Sequence, residues 1–286
     1  MKLKKLVAIT LSAVMCMAAL TGCGGKSDSA KKTAKVIEVD LTDEQYAFGV
    51  DKDQPDLLKE VNQFVKDMKS DGTFDEICNR YFGDGTPVPV KSAAYDESKD
   101  QLVVATNAAF EPFEYMDGEN YVGIDMEIAK ALADKLGKEL VIQNMDFDAV
   151  CLSVGQHKCD VAMAGLTIKP DREEYVAFSD PYYSASQKLI TLSTDTEFDA
   201  CKTADDVNKI LEAKGSDLKI GFQNGTTGQF YCEGDKSWGF EGYKVTTTGY
   251  KNGSLAVQDL INGNINYVVI DSAPAKCITE AINKMQ

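Results

Sequence analysis

Residues 102–144 read LVVATNAAFEPFEYMDGENYVGIDMEIAKALADKLGKELVIQN and contain the pattern that decides the fold. The short apolar runs LVVAT and ELVIQ at its two ends predict strands. Between them, apolar residues recur at helical spacing from Ile124 to Leu136, and Gly137 ends the helix. A strand, a helix and a second strand in this order indicate an α/β fold.

The same alternation continues to Gln286, with helices predicted from Phe147, over 203–213 and over 254–262. We therefore expect two α/β units. The further predicted strands are DVAMAG (160–165), QKLITL (187–192), LKIGF (218–222), YKVTTT (243–248) and YVVID (267–271), and QKLITL is expected to cross between the units.

The segment before residue 102 has the same kind of pattern but ends in a long break. VIEVD (36–40) and YAFGV (46–50) predict strands, and two helices are expected between Asp56 and Tyr81. GDGTPVPVKSAAYDESKD (83–100) then combines Gly, Pro, Ser and charge without periodicity, which predicts a linker.

The first residues indicate export. Lysines precede a short apolar run, which predicts a signal peptide over residues 1–22. The sequence LTGC, ending at Cys23, resembles the lipobox of bacterial lipoproteins, in which that cysteine carries lipid. We therefore expect a flexible tether over 23–35 and an extracytoplasmic protein held at the membrane by its lipid alone.

Composition excludes several classes of function. The chain has 45 acidic and 30 basic residues and a net charge of −15, so we expect no nucleic-acid partner. Cys151, His157 and Cys159 lie close in sequence, but their spacing matches no zinc pattern. We expect neither a metal nor a cofactor, and we expect free thiols among the six cysteines from Cys78 to Cys277.

Ligands of open α/β sheets bind at the carboxyl ends of strands, and four loops there carry candidate residues. An aromatic loop that includes Phe110 follows LVVAT, and a glycine-rich turn, QNGTTG, follows LKIGF. Arg172 offers a fork for a carboxylate, although a surface ion pair with a neighbouring glutamate is an alternative. Asp271 could accept an ammonium group or cap the next helix. Together these loops offer what a free α-amino acid needs.

Six motifs of the chain belong together: LVVATNAAFEPFEY, YVGIDMEIAKALA, NMDFDAV, DVAMAGLTIKPDREEYVAFSDPYY, GFQNGTTG and VVIDSAPA. In these motifs the chain resembles the amino-acid-binding proteins of bacterial ABC importers. The nearest likeness is the polar amino acid group, which includes glutamine-binding proteins. The resemblance implies a periplasmic-binding-protein-like fold, in which two α/β lobes joined by two hinge strands close on one amino acid. It also implies a monomer that serves an ABC permease.

The resemblance also implies a role for each site residue. Arg172 would hold the α-carboxylate with Thr167 and the N–H groups around Thr227, while Asp271 and the carbonyl of Gly165 would hold the α-ammonium. The side chain of the ligand would lie between Phe110 and Phe147, and Asn107 and Gln223 would contact its polar end.

The order of the motifs differs from that family. LTDEQYAFGV and DGTFDEICNRYFGD resemble the segment that normally ends such proteins, yet here they precede LVVATNAAF. The chain therefore resembles a circularly permuted member. The expected lobes are 46–186, and 36–45 with 187–286, with hinges near 42–46 and 184–189.

Two neutral amides, Asn107 and Gln223, favour a neutral polar ligand such as glutamine, with a cationic amino acid second. Glu111 could meet a cationic side chain, but we expect it to be exposed to solvent. A dehydratase on the same scaffold is the enzymatic alternative, with Glu173 or Glu174 as the acid. A component that presents its ligand to a separate sensor is a third possibility, and we expect a binding protein rather than an enzyme.

Overall fold

A computed structural model describes residues 31–286. The expectations for the signal peptide and for lipid on Cys23 lie outside the described residues. In chain order, the elements are β1 (Ala34–Val36), β2 (Glu44–Tyr46), β3 (Gly49–Asp51), α1 (Pro55–Ser70), α2 (Thr73–Phe82), β4 (Gln101–Thr106), β5 (Ala109–Phe110), β6 (Glu114–Asp117), β7 (Asn120–Val122), α3 (Ile124–Leu136), β8 (Glu139–Asn144), α4 (Phe147–Gly155), β9 (Val161–Ala162), α5 (Pro170–Glu173), β10 (Val176–Phe178), β11 (Tyr183–Ala185), β12 (Gln187–Leu192), α6 (Ala204–Glu212), β13 (Lys219–Gln223), α7 (Thr227–Glu233), β14 (Thr246–Tyr250), α8 (Gly253–Asn262), β15 (Tyr267–Asp271) and α9 (Ser272–Met285).

The fold consists of two lobes, each built on a five-stranded sheet. The strand order is β10-β3-β9-β4-β8 in the first lobe and β1-β12-β15-β13-β14 in the second. The central strand β4 is parallel to both of its neighbours, and every one of its residues is buried. Leu102 packs into the core on one face of the sheet and Val103 into the core on the other, as expected when helices cover both faces.

The two lobes are joined by a pair of short strands. β2 and β11 run antiparallel, with Tyr46 opposite Tyr183 and Glu44 opposite Ala185. The crossing predicted for QKLITL is wrong, because β12 is a central strand of the second-lobe sheet and the chain crosses at β11. The predicted strand 46–50 is two strands, because the chain leaves the hinge at Tyr46 and enters the first-lobe sheet at Gly49.

The amino-terminal strand lies in the second lobe. β1 begins at Ala34, within the segment predicted as tether, and pairs antiparallel with β12. The backbone N–H of Ala34 donates to the side chain of Asn283, whose amide donates back to the carbonyl of Ala34, at 2.9 and 2.8 Å. The two ends of the described chain therefore lie side by side on one lobe.

The segment predicted as a linker is hydrogen-bonded to the first lobe. Val90 exchanges two backbone hydrogen bonds with Tyr121, at 2.7 and 2.9 Å. Ala93 donates to the carbonyl of Leu140, and the hydroxyl of Ser92 accepts from the N–H of Ile142. The segment contacts β8, the edge strand of its sheet, and so covers backbone groups that would otherwise be unpaired.

The hairpin that carries Phe110 is fastened to the start of α3. The N–H groups of Ile124 and Asp125 donate to the carbonyls of Pro112 and Phe113, at 3.0 and 2.9 Å. Gly123, between the hairpin and the helix, has a φ of +135°, and a Cβ there would lie 2.1 Å from the carbonyl oxygen of Phe113. Only glycine fits this approach without moving the hairpin.

We predict that Gly123→Ala destabilises the fold by about 3 kcal/mol, because the methyl group collides with backbone atoms. Gly118→Ala is the matched control, since Gly118 also has a positive φ but open space around it. That change should cost about 1 kcal/mol, from backbone conformation alone. Urea unfolding followed by circular dichroism measures both, and equal losses would contradict the proposed collision.

Candidate functional site

The facing edges of the two lobes bring together side chains that lie just after strands. Asn107 follows β4, while Gln223 ends β13 in the other lobe. The side-chain amide of Gln223 donates to Oδ1 of Asn107 across the cleft at 3.0 Å, and Asn107 donates to the carbonyl of Met145 at 2.7 Å. The structure thus places these two predicted residues in direct contact.

Arg172 lies at the same edge of the first lobe and is buried. Its guanidinium donates to the carbonyl of Thr167 at 2.7 Å and, across the cleft, to the carbonyl of Gly225 at 3.0 Å. Its central carbon lies 5.2 Å from the ring centroid of Phe147. Arg172 makes these contacts where the alternative expectation was a surface ion pair with a neighbouring glutamate. Both candidates, Glu173 and Glu174, are exposed.

Gly165 and Phe110 form a second part of the first-lobe wall. The N–H of Gly165 donates to Asp125 at 2.9 Å, and its φ is +54°. A Cβ at Gly165 would lie 2.9 Å from the ring of Phe110 and 3.3 Å from that of Tyr46. Glycine here lets the aromatic rings approach the backbone.

Asp271 ends β15 in the second lobe and is linked to the hinge. The hydroxyl of Tyr46 donates to Oδ1 of Asp271 in a short hydrogen bond. Burial, together with the nearby carboxylate of Glu44, raises the pKa of Asp271 to about 7. The carboxyl group therefore lies in a place where a cation would stabilise its charged form.

Thr227 and Gln223 each carry a buried side-chain oxygen that has no hydrogen-bond partner among the described residues. Thr227 begins α7, two residues after the Gly225 carbonyl that binds Arg172. Buried polar atoms are usually satisfied in native proteins, so two such atoms at one cleft point to a polar ligand.

Several functional candidates were missing from the residues selected by sequence. Glu44, in hinge strand β2, is buried and accepts hydrogen bonds from Thr42, from Gln187 and, at 2.6 Å, from the hydroxyl of Thr167. Thr167 is expected to help bind a carboxylate, but in the structure its hydroxyl proton is already donated to Glu44 in hinge strand β2. Glu44 alternates with Tyr46 along strand β2, and both side chains face inward. This alternation is the sequence signal that could have identified Glu44.

Glu114 is a second buried acid that the sequence analysis missed. It is fully buried in β6 opposite Phe110, and neither carboxylate oxygen has a hydrogen-bond partner among the described residues. Burial, with Asp125 and Asp271 nearby, raises its pKa well above the ordinary value. Burial also raises the pKa of Asp125 to about 6.

Other expectations concern the cysteines, metal binding, Glu111 and membrane-spanning helices. Within residues 31–286, the six cysteines are free thiols and no group of three or more His, Cys, Asp or Glu is placed to hold a metal ion. Cys151 and Cys159 are buried, while His157 pairs with Asp51 at 2.9 Å. Glu111 is exposed, as expected. In the same described range, no helix is long and apolar enough to cross a membrane.

Comparison with known proteins places the fold and these residues in a family. The sequence matches the bacterial extracellular solute-binding proteins, family 3, over residues 9–84 and 102–276. The chain belongs to this family. The match falls in two blocks on either side of the segment predicted as linker, and together the blocks cover most of the chain.

Individual members of family 3 are similar over part of their length. The arginine-binding extracellular protein ArtP of Bacillus subtilis (strain 168) is 40% identical over 96 residues, which are 34% of this chain and 38% of ArtP. The holo structure of ArgBP from T. maritima is 33% identical with a TM-score of 0.53, and the match covers 66% of this chain and 78% of that one.

A second structural relative is the ancestral amino acid-binding protein AncCDT-1, described as a precursor of cyclohexadienyl dehydratase. It is 27% identical with a TM-score of 0.53, and the match covers 73% of this chain and 78% of that one. The chain spans between 38% and 65% of the length of eight curated relatives, which are named as arginine- or histidine-binding proteins.

We predict that the free energy of unfolding of Asp271→Asn, relative to that of the wild type, increases as the pH rises from about 4 to about 7. The pKa of Asp271 in the folded protein, about 7, exceeds its ordinary value of 3.8. The unfolded chain therefore loses this proton first, and stability is lost as the pH rises through that window. Urea unfolding of both proteins at pH 4.5, 6 and 7.5, without added solute, measures the difference. A pH-independent difference would contradict the raised pKa.

Proposed function

We propose that this protein binds a free polar α-amino acid between its lobes and delivers it to the permease of an ABC importer. The observation that carries the proposal is the presence of two buried side chains of opposite charge, Arg172 in the first lobe and Asp271 in the second. Arg172 offers a guanidinium fork to an α-carboxylate, and Asp271 offers a carboxylate to an α-ammonium. A zwitterion satisfies both groups at once.

We propose a role for each site residue. Arg172, Thr167 and the N–H groups around Thr227 hold the carboxylate, with the Thr167 hydroxyl turning from Glu44 when ligand binds. Asp271 and the carbonyl of Gly165 hold the ammonium group.

The side chain of the ligand lies between the rings of Phe110 and Phe147 and reaches the Asn107–Gln223 pair at its polar end. The unpartnered oxygen of Gln223 supports this last role, since it can accept a hydrogen bond from the ligand.

Within this class we propose a cationic amino acid, with arginine as the first candidate. Burial raises the pKa of three neighbouring carboxyl groups, Glu114, Asp125 and Asp271, and only one of them is needed for an ammonium group. A second positive charge on the ligand would stabilise the charged form of another of these carboxyl groups. The names of the curated relatives support the same choice.

Glutamine remains the second candidate, because the polar end of the site offers two neutral amides. Asn107 and Gln223 can donate to and accept from a ligand amide, and no carboxylate contacts either one among the described hydrogen bonds.

We also propose that the protein is an extracytoplasmic lipoprotein anchored through Cys23, and a monomer. The dehydratase alternative lacks support from the cleft, since Glu173 and Glu174 are both exposed.

The test is a thermal-shift panel with the full chain, unfolded and refolded beforehand to remove any solute carried through purification. We predict stabilisation by arginine, at about 2.7 kcal/mol when its concentration is a hundred times the dissociation constant. Agmatine, which lacks the α-carboxylate, should give no shift. Arg172→Ala should keep its circular dichroism spectrum and lose binding. A panel in which no amino acid stabilises the protein would reject the function, and unchanged affinity in Arg172→Ala would reject the site.

We further propose that the chain is a circular permutation of the usual family order. The proximity of Ala34 and Asn283 supports it, because a direct join there is short. The two separate family blocks, and the third or more of each curated relative left unmatched, also support it. The lobe boundaries at 46–186, and at 36–45 with 187–286, are part of this proposal.

We predict that a reordered chain, in which residues 85–286 precede residues 33–84 through a short glycine linker, folds and binds the same amino acid. Every strand keeps its neighbours in this chain, and only the surface connection moves. Circular dichroism and the same ligand panel measure the outcome. A reordered chain that stays unfolded while the parent folds would reject the permutation and leave the proposed function untouched.

A further inference from the structure

The loop after α7 in the second lobe touches the first lobe at a point outside the residues proposed to hold the amino acid. This latch loop, residues 235–240, is closed by two backbone hydrogen bonds between Asp235 and Phe240, both at 2.9 Å. Asp235 faces Lys169 of the first lobe. We propose that Lys169 and Asp235 form a latch that stabilises the closed arrangement of the lobes and slows the release of a bound solute. The solute-release part rests on the proposed function.

The geometry of the pair is that of a buried ionic contact between lobes. Nζ of Lys169 lies 2.7 Å from Oδ2 of Asp235, and the two side chains are 1% and 11% exposed. The same ammonium lies 4.2 Å from the ring centroid of Phe230, on α7 of the second lobe. A cation placed on an aromatic face and beside a carboxylate, away from water, interacts more strongly than an exposed pair.

Lys169 has another partner within its own lobe. Its ammonium also contacts Asp171, whose side chain is exposed. When the lobes separate, Lys169 keeps Asp171 but loses both Asp235 and the ring of Phe230. When the lobes close, the ammonium group of Lys169 therefore makes two additional interactions. Removal of Asp235 alone would leave this buried positive charge without its inter-lobe carboxylate.

The chain contains a matched pair that also spans the lobes. Lys251 of the second lobe and Asp146 of the first lie 3.9 Å apart, with side chains 75% and 68% exposed. Solvent screens such a pair, so it adds little to closure. Comparison of the two lysines separates a buried latch from a general effect of charge across the cleft.

The latch loop also contains its own reporter. Trp238 is the only tryptophan of the chain. It lines a cavity of about 300 Å³ together with Gln45, Thr167 and Ile168, which belong to the hinge and the first lobe. Opening of the lobes would move the indole away from these residues and expose it to solvent. Tryptophan fluorescence therefore follows closure without any added solute.

The experiment compares the full-length wild type with Lys169→Met, Asp235→Asn and Lys251→Met. Position 235 is far in sequence from Arg172, and Asp235→Asn keeps the shape of the side chain. This variant therefore tests the latch even if Lys169→Met disturbs the neighbouring Arg172. Acrylamide quenching of Trp238, without solute, should increase in both latch variants and stay unchanged in Lys251→Met. The double variant Lys169→Met/Asp235→Asn should be quenched no more than either single variant.

Stopped-flow fluorescence with L-arginine gives the second readout. Each latch variant should release L-arginine about tenfold faster or more, with a much smaller change in association rate, since loss of a buried charge pair acts mainly on dissociation. Equal quenching in the wild type, both latch variants and the Lys251→Met control would overturn the latch. If L-arginine fails to bind the wild type, the proposed ligand is wrong, and the quenching measurement still decides the latch.

Discussion

Two polar faces can be buried against each other only if each charge that leaves water finds a partner. At the cleft of this protein, each of two buried cations has a partner in the opposite lobe as well as one in its own. Arg172 of the first lobe reaches the Gly225 carbonyl of the second, and Lys169 reaches Asp235. Because an unpaired buried charge costs several kcal/mol, these pairs favour the arrangement of the lobes that the structure shows.

The hinge takes part in the site as well as joining the lobes. Strand β2 carries Glu44, bonded to Thr167 in one lobe and Gln187 in the other, and Tyr46, bonded to Asp271. A ligand that engages Thr167 or Asp271 therefore changes the hydrogen bonding of the hinge strand. This coupling gives a physical route from ligand contact to the relative position of the lobes, since a small shift in β2 acts on both lobes.

The buried acids near Asp271 lower the stability of the folded protein when their carboxyl groups are charged. Burial raises the pKa of Asp271 and Glu114, so the folded protein without a cation there holds these groups in an unfavourable environment. Well-folded proteins place such groups mainly where function requires them. The proposal of a cationic amino acid and the raised pKa values have the same origin, an excess of carboxyl groups in a buried space.

Much of this fold could be predicted from the sequence because periodicity is a local property. The helix at 124–136 and the position of Asp271 at a strand end follow from the spacing of apolar residues, and the structure places both as expected. Arg172 is predicted to bind a carboxylate because a guanidinium group that follows a strand suits that ligand group. The structure buries Arg172 at the cleft.

Only the tertiary structure decided which distant residues meet. Tyr46 and Asp271 are 225 positions apart, and Lys169 meets a loop of the other lobe. In the sequence, Glu44, Glu114 and Lys169 look like ordinary surface charges, because a charged residue is usually solvated. Their burial arises from the packing of one lobe on the other. Local pattern therefore specified the lobes and the ends of their strands, whereas the pairing of charges between lobes depended on how the hinge brings them together.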